Sequence, residues 1–263
     1  MQTRTLIFVL LGLVAVPPMN ALAQWKIRWE YKGAKGEEHW SELDPDWSAC
    51  NAGKQQSPID IRQAETAELP ALRFEFKSSP LKYLVNNGYT IRVNYHDAPG
   101  AGNLMIVGNV RYQLTQFHFH RPSEELIHGK TYDMVVHLMY QTSDGKLAGV
   151  AVLLKAGRAN ATVQQIWEHM PMTESKIKAD FSHEEQEVPG VQISPAGLLP
   201  DDLGYFTYSG SVTAPPCTEG VVWYVLKAPI TISAAQIGAF AALYPHDVRR
   251  VQPLNGRVVK QSR

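Results

Sequence analysis

Short runs of β-branched and aromatic residues, broken by polar turn residues, set the pattern of this chain. The runs cover 84–85, 90–95, 104–107, 112–120, 134–140, 148–155 and 221–226, with Gly, Asn, Asp or Pro between them. That composition predicts strands joined by turns. Asn87-Gly88 and Asp144-Gly145 fit hairpin turns. Helical signals are few. One covers 161–169, with Asn160 as N-cap, and one covers 233–243, with Ser233 as N-cap and Pro245 just beyond its end. There is no internal repeat, low-complexity tract or linker. The pattern predicts one mainly β (α+β) domain, built on one continuous sheet with minor helices.

The first residues read differently. Arg4 is the sole charge among the first 23 residues, 6–16 is an apolar run, Pro17 and Pro18 break it, and Ala21-Leu22-Ala23 follows. This is the pattern of a secretory signal with a small-residue cleavage site. The run is too short to span a bilayer, which needs about 20 residues. The expectation is a signal peptide over 1–23, a mature domain over 24–263, no membrane span in the mature chain and, for a Gram-negative source, a periplasmic address.

Composition narrows the function classes. The 263 residues carry 25 Lys plus Arg against 25 Asp plus Glu. Such a balance argues against a nucleic-acid binder, which shows a basic surplus. A hydrophobic content of 44% supports a sizeable core. The two cysteines, Cys50 and Cys217, both lie in the exported part, where a disulfide is the natural reading and two buried thiols the alternative.

The candidate chemistry lies in Gln116-Phe117-His118-Phe119-His120. Side chains alternate along a strand, so Gln116, His118 and His120 share one face and the two phenylalanines the other. A second strand offers His137 amid apolar neighbours. If the two strands pair, three imidazoles converge, which is the ligand set of a catalytic zinc with one open position. With nine histidines in the chain, an H-x-H pair also fits ordinary core or surface residues. The spacing His118-x-His120-x₃-Glu124 also fits the first metal motif of a cupin, with Glu124 as a ligand. No Pro/Gly turn precedes His137, as a second cupin motif would want.

The wider text resembles the α-class carbonic anhydrases, from about Trp29 to Arg257. Trp29-x-Tyr31, His39-Trp40, Gln55-Gln56-Ser57-Pro58-Ile59-Asp60-Ile61, Asn86-Asn87-Gly88, residues 116–120 and Ser123-Glu124 follow the family's order. His137-Leu138, Leu147-Ala148, Tyr205 to Tyr208, Gly210-Ser-Val-Thr-Ala-Pro-Pro216, Trp223 and Gln252-Pro253-Leu254-Asn255-x-Arg257 complete it. The resemblance implies a single domain around a large, mostly antiparallel twisted sheet of about ten strands, with a conical cleft. It implies Zn²⁺ held by His118, His120 and His137, and reversible hydration of CO₂ to bicarbonate by zinc-bound hydroxide. Thr213 would take the hydroxide's hydrogen bond and give its own to Glu124, and Gln116 would support His118. Met139, Gly149, Val212, Thr213, Ala214 and Trp223 would form the substrate pocket, with Tyr31 and Asn87 as polar groups of the cleft. A Cys50–Cys217 disulfide, cis bonds at Ser57-Pro58 and Pro215-Pro216, binding of sulfonamides and small anions, and a monomer or homodimer are also implied. A catalytically silent zinc-binding relative on the same fold is the competing reading.

Several positions depart from the family pattern. Tyr89 stands where fast members carry a proton-shuttling histidine, and a phenol with a pKa near 10 is poorly matched to that task. Val135 replaces the glutamate that usually supports the third ligand. Loss of such a partner typically costs about 10–100-fold in metal affinity or activity, so the expectation is zinc that is held more weakly or exchanges faster, with its loss to a chelator slowed by Val135→Glu; a water or a residue from another strand is the alternative support. Glu125 replaces a His or Asn, and Ala214 a Thr or His.

Overall fold

The computed structural model describes residues 27–263. The expected signal peptide over 1–23 lies outside the described residues.

The strand-forming runs assemble into one large sheet of twelve strands, with two further two-stranded pairs. Its centre is the longest strand, Val110–His120, which pairs antiparallel with Met134–Gln141. Met134–Gln141 pairs antiparallel in turn with Leu147–Ala156, through the turn at Asp144-Gly145. Gly145 there has φ +87°, a conformation glycine adopts without strain.

The sheet is mostly antiparallel, as expected, but it is mixed at one place that matters. Leu147–Ala156 runs parallel to both Glu219–Leu226 and Ile230–Ile232. A strand buried on both faces reads as a continuous apolar run, and Leu147–Ala156 is buried from Ala148 to Leu154. The strand Tyr205–Ser211 then pairs antiparallel with Glu219–Leu226.

Both expected helices form. Ala161–Trp167 is capped by Asn160, whose side chain accepts from Val163 N, and Ala234–Ala241 opens with a capping box between Ser233 and Gln236. They cover one face of the sheet, where Phe119, Trp167 and Phe240 pack in a large apolar core. The opposite face carries a smaller core around Ile59, Val135, Leu153 and Trp223. A third cluster of Trp29, Trp40, Trp47 and Tyr89 anchors the N-terminal segment. Cys50 and Cys217 form a disulfide that ties this segment to the chain's second half, across a sequence separation of 167. Ser57-Pro58, Arg121-Pro122 and Pro215-Pro216 are cis.

Candidate metal centre

Strand periodicity and register bring three imidazoles to one spot. His118 and His120 project from the same face of their strand, and His137 sits directly across from His118. Their ring centroids are 4.9 to 5.4 Å apart. One nitrogen from each ring can be chosen so that all three lie within 4.8 Å of one another.

Hydrogen bonds decide which nitrogens those are. His118 Nδ1 lies 2.8 Å from Gln116 Oε1. His120 Nδ1 donates to the Asp247 carbonyl at 2.7 Å. His137 Nε2 lies 2.8 Å from Glu125 Oε1. Each partner is an acceptor, so each of these ring nitrogens carries a proton and the other keeps its lone pair. His120 Nε2 and His137 Nδ1 are buried with no hydrogen-bond partner. Unpartnered buried acceptors are costly, and here they point together. The donor set therefore fits a metal ion: three neutral imidazoles, each fixed by a partner on its far nitrogen.

Electrostatics keep His118 and His120 neutral. Burial lowers the pKa of His118 well below 6.5, helped by the two other rings, and brings that of His120 down to about 3. For His137 burial also opposes the charge, but Glu125 more than offsets it, so its pKa is raised.

The carboxylate of Glu124 is fully buried rather than a solvated loop charge. Its Oε1 accepts from Arg249 N at 2.8 Å, and its Oε2 lies 3.5 Å from His120 Nε2 and 3.8 Å from His137 Nδ1. Burial pushes its pKa up to about 7, while the His137 ring and a hydrogen bond from the Thr213 side chain act to lower it. Thr213, buried, also lines the cleft above the imidazoles.

The cleft has a volume of about 490 Å³. Met139, Val212, Ala214 and Trp223 form part of its wall, and Tyr31 and Asn87 lie along it. Gly149 does not line it. A Cβ on Gly149 would stand 2.6 Å from the Trp223 ring, so this glycine makes room behind the tryptophan. Tyr89 is pinned: its ring stacks on Trp29 and its hydroxyl accepts from Trp29 N at 3.1 Å.

Three features of the centre were not expected from the sequence. Val135 offers His137 no partner, and the group that compensates is Glu125, which reaches His137 Nε2 from the loop that follows His118 and His120. The carbonyl of Asp247 supports His120, and the amide of Arg249 supports Glu124. Neither could be found from side-chain pattern, since both are backbone contacts from an irregular segment. At the mouth of the cleft His183 pairs with Glu174 at 3.1 Å, and Glu174 also pairs with Arg28.

A mixed β-sheet with a three-histidine centre, open on the side of a cleft, defines a metal-centre protein of the kind that activates water. Residues 35–263 match the eukaryotic-type carbonic anhydrase family, and the chain belongs to that family. It is 39% identical to a carbonic anhydrase of Pectobacterium carotovorum over 91% of this chain and 93% of that one. A carbonic anhydrase of Neisseria gonorrhoeae is 40% identical over 88% of this chain and 86% of that one. Among solved structures, the α-carbonic anhydrase of Thermovibrio ammonificans, in complex with the inhibitor sulfanilamide, superposes with a TM-score of 0.80 at 36% identity, covering 90% of this chain and 99% of that one.

Proposed function

We propose that this chain catalyses the reversible hydration of CO₂ to bicarbonate and a proton, with Zn²⁺ held by His118 Nε2, His120 Nε2 and His137 Nδ1. The observation that carries this reading is the set of three imidazoles, each with its far nitrogen engaged, around a point open to the cleft. When bound there, zinc supplies the Lewis acidity that brings the pKa of water to about 7.

The chain's own residues supply the rest. Glu124 faces the centre from inside, close enough to the Thr213 side chain for that group to lower its pKa, and would accept from the Thr213 hydroxyl. A threonine oxygen whose proton is so committed can only accept from the attacking water, which fixes the direction of its lone pair. Met139, Val212 and Trp223 offer an apolar wall, suited to a substrate without charge. In the hydration direction one C–O bond forms between water and CO₂, and one proton must leave through the cleft. The same open position suits a sulfonamide or a small anion.

The N-terminal pattern and the disulfide support export, with residues 1–23 as the signal and 24–263 as the catalytic domain, and a periplasmic address. No described helix is long and apolar enough to cross a membrane.

Stopped-flow CO₂ hydration with a pH indicator tests the reading. The expected result is a rate well above buffer, lost on chelation and restored by zinc. A rate no better than buffer in zinc-loaded protein would overturn it in favour of a silent zinc-binding relative.

A further inference from the structure

Two adjacent buried carboxylates address opposite nitrogens of one ring. Glu124 Oε2 lies 3.8 Å from His137 Nδ1, and Glu125 Oε1 lies 2.8 Å from His137 Nε2. Glu125 is fully buried, and its other oxygen has no hydrogen-bond partner. Its side chain is not what fastens its loop. The Ser123 hydroxyl donates to the Glu125 carbonyl at 2.8 Å and accepts from Tyr132 N at 2.9 Å, which holds the backbone there. A carboxylate buried with a single partner is unfavourable unless that partner needs it.

Val135 stands two residues before His137 on the same strand, so both side chains project from one face. It is fully buried and packs in the smaller core. An apolar side chain there excludes water from the flank of His137 and offers it no acceptor.

We propose that Glu125 is the positioning residue of His137, and that positions 125 and 135 are alternative seats for one carboxylate, of which this chain fills the first. The proposal rests on the metal reading above. A carboxylate at Nε2 keeps that nitrogen protonated and the Nδ1 lone pair aimed at the centre. Two carboxylates together would be two like charges in one buried space. The effect of a glutamate at 135 therefore reverses sign with the residue at 125.

Zinc release tests this without reference to catalysis. Zinc-loaded parent, Glu125→Ala, Glu125→Gln, Val135→Glu and the double variant Glu125→Ala/Val135→Glu are mixed with excess dipicolinate at neutral pH. Circular dichroism reports the fold, and the visible spectrum of the cobalt-loaded forms reports the geometry at the metal. Glu125→Ala should release zinc about 10–100-fold faster than the parent, and Glu125→Gln at an intermediate rate. Val135→Glu alone should not slow release. The double variant should return to nearly the parent rate and the parent cobalt spectrum.

A folded Glu125→Ala or Glu125→Gln protein that keeps the parent rate would overturn the proposal. So would a folded double variant no slower than Glu125→Ala. Should Glu125→Ala fail to fold, the double variant and Glu125→Gln decide alone. A parent that takes up no zinc would overturn the metal reading itself, a result distinct from unchanged release by the variants.

Discussion

The ring of Tyr89 lies flat on that of Trp29, with centroids 4.0 Å apart and planes 9° from parallel. The contact fixes a side chain at the position where a mobile proton carrier would be useful. Burial also raises the pKa of the phenol, despite the Trp29 amide that donates to it and the nearby Arg28 guanidinium. Tyr89 is thus held still and protonated at working pH. The expected outcome is a kcat limited by proton export. Imidazole buffer should raise kcat several-fold and leave kcat/KM nearly unchanged, as read by stopped-flow hydration across a buffer series.

Thr213 carries a different burden, in the bond-forming step itself. Thr213→Val keeps its shape and removes the hydroxyl. A misdirected attacking group can cost about 100-fold, so kcat/KM should fall by about that factor. Zinc content, measured by atomic absorption, should stay at the parent value, because Thr213 is not among the three ligands.

Gly149 is a packing requirement of the cleft wall. Its Cβ in Gly149→Ala would meet three atoms of the Trp223 ring at 2.6 to 2.9 Å. The indole cannot swing freely, since its Nε1 donates to the Ser211 carbonyl at 2.9 Å. Overpacking of this kind typically costs about 1–3 kcal/mol. Denaturant unfolding should show that loss, and kcat/KM should fall as Trp223 moves into the cleft.

At the mouth of the cleft, Arg28, Glu174 and His183 join the N-terminal segment to the 171–190 excursion. Burial lowers the His183 pKa below 6.5, with Glu174 opposing. Arg28 and His183 outweigh burial to hold Glu174 below 4.5. Both groups bind protons less readily when folded than when released. Their contribution is therefore present above those ordinary values and is lost as pH falls, first through His183 and then through Glu174. Amide exchange over 174–186, corrected for intrinsic rates, should quicken from about pH 6.5 downward. In Glu174→Gln the response below about pH 4.5 should disappear.

Much of the centre was legible because it follows strand period. The alternation at 116–120 placed His118 and His120 together, and the apolar setting of His137 suggested a paired strand. What sequence could not supply was contact between distant or irregular segments. Glu125 read as a departure because its partner is reached by a turn of the loop, not by periodicity. The supports from Asp247 and Arg249 come from backbone groups, which every residue has. The parallel pairing of Leu147–Ala156 with Glu219–Leu226 was equally hidden, since an apolar run fits either direction. Tyr205–Ser211, with its glycine and serines, lacked the apolar density that marks the other long strands.

The disulfide has a consequence beyond cohesion. Cys217 closes the segment that carries Thr213, and Cys50, its partner, also offers its carbonyl to the buried Arg249 at 3.0 Å. Arg249 is in turn the residue whose amide holds Glu124. One oxidation event thus fastens both halves of the Thr213–Glu124 pair to the same anchor. Reducing that bond is therefore expected to loosen the segment of Thr213 as well as the N-terminal segment, since both meet at this one link.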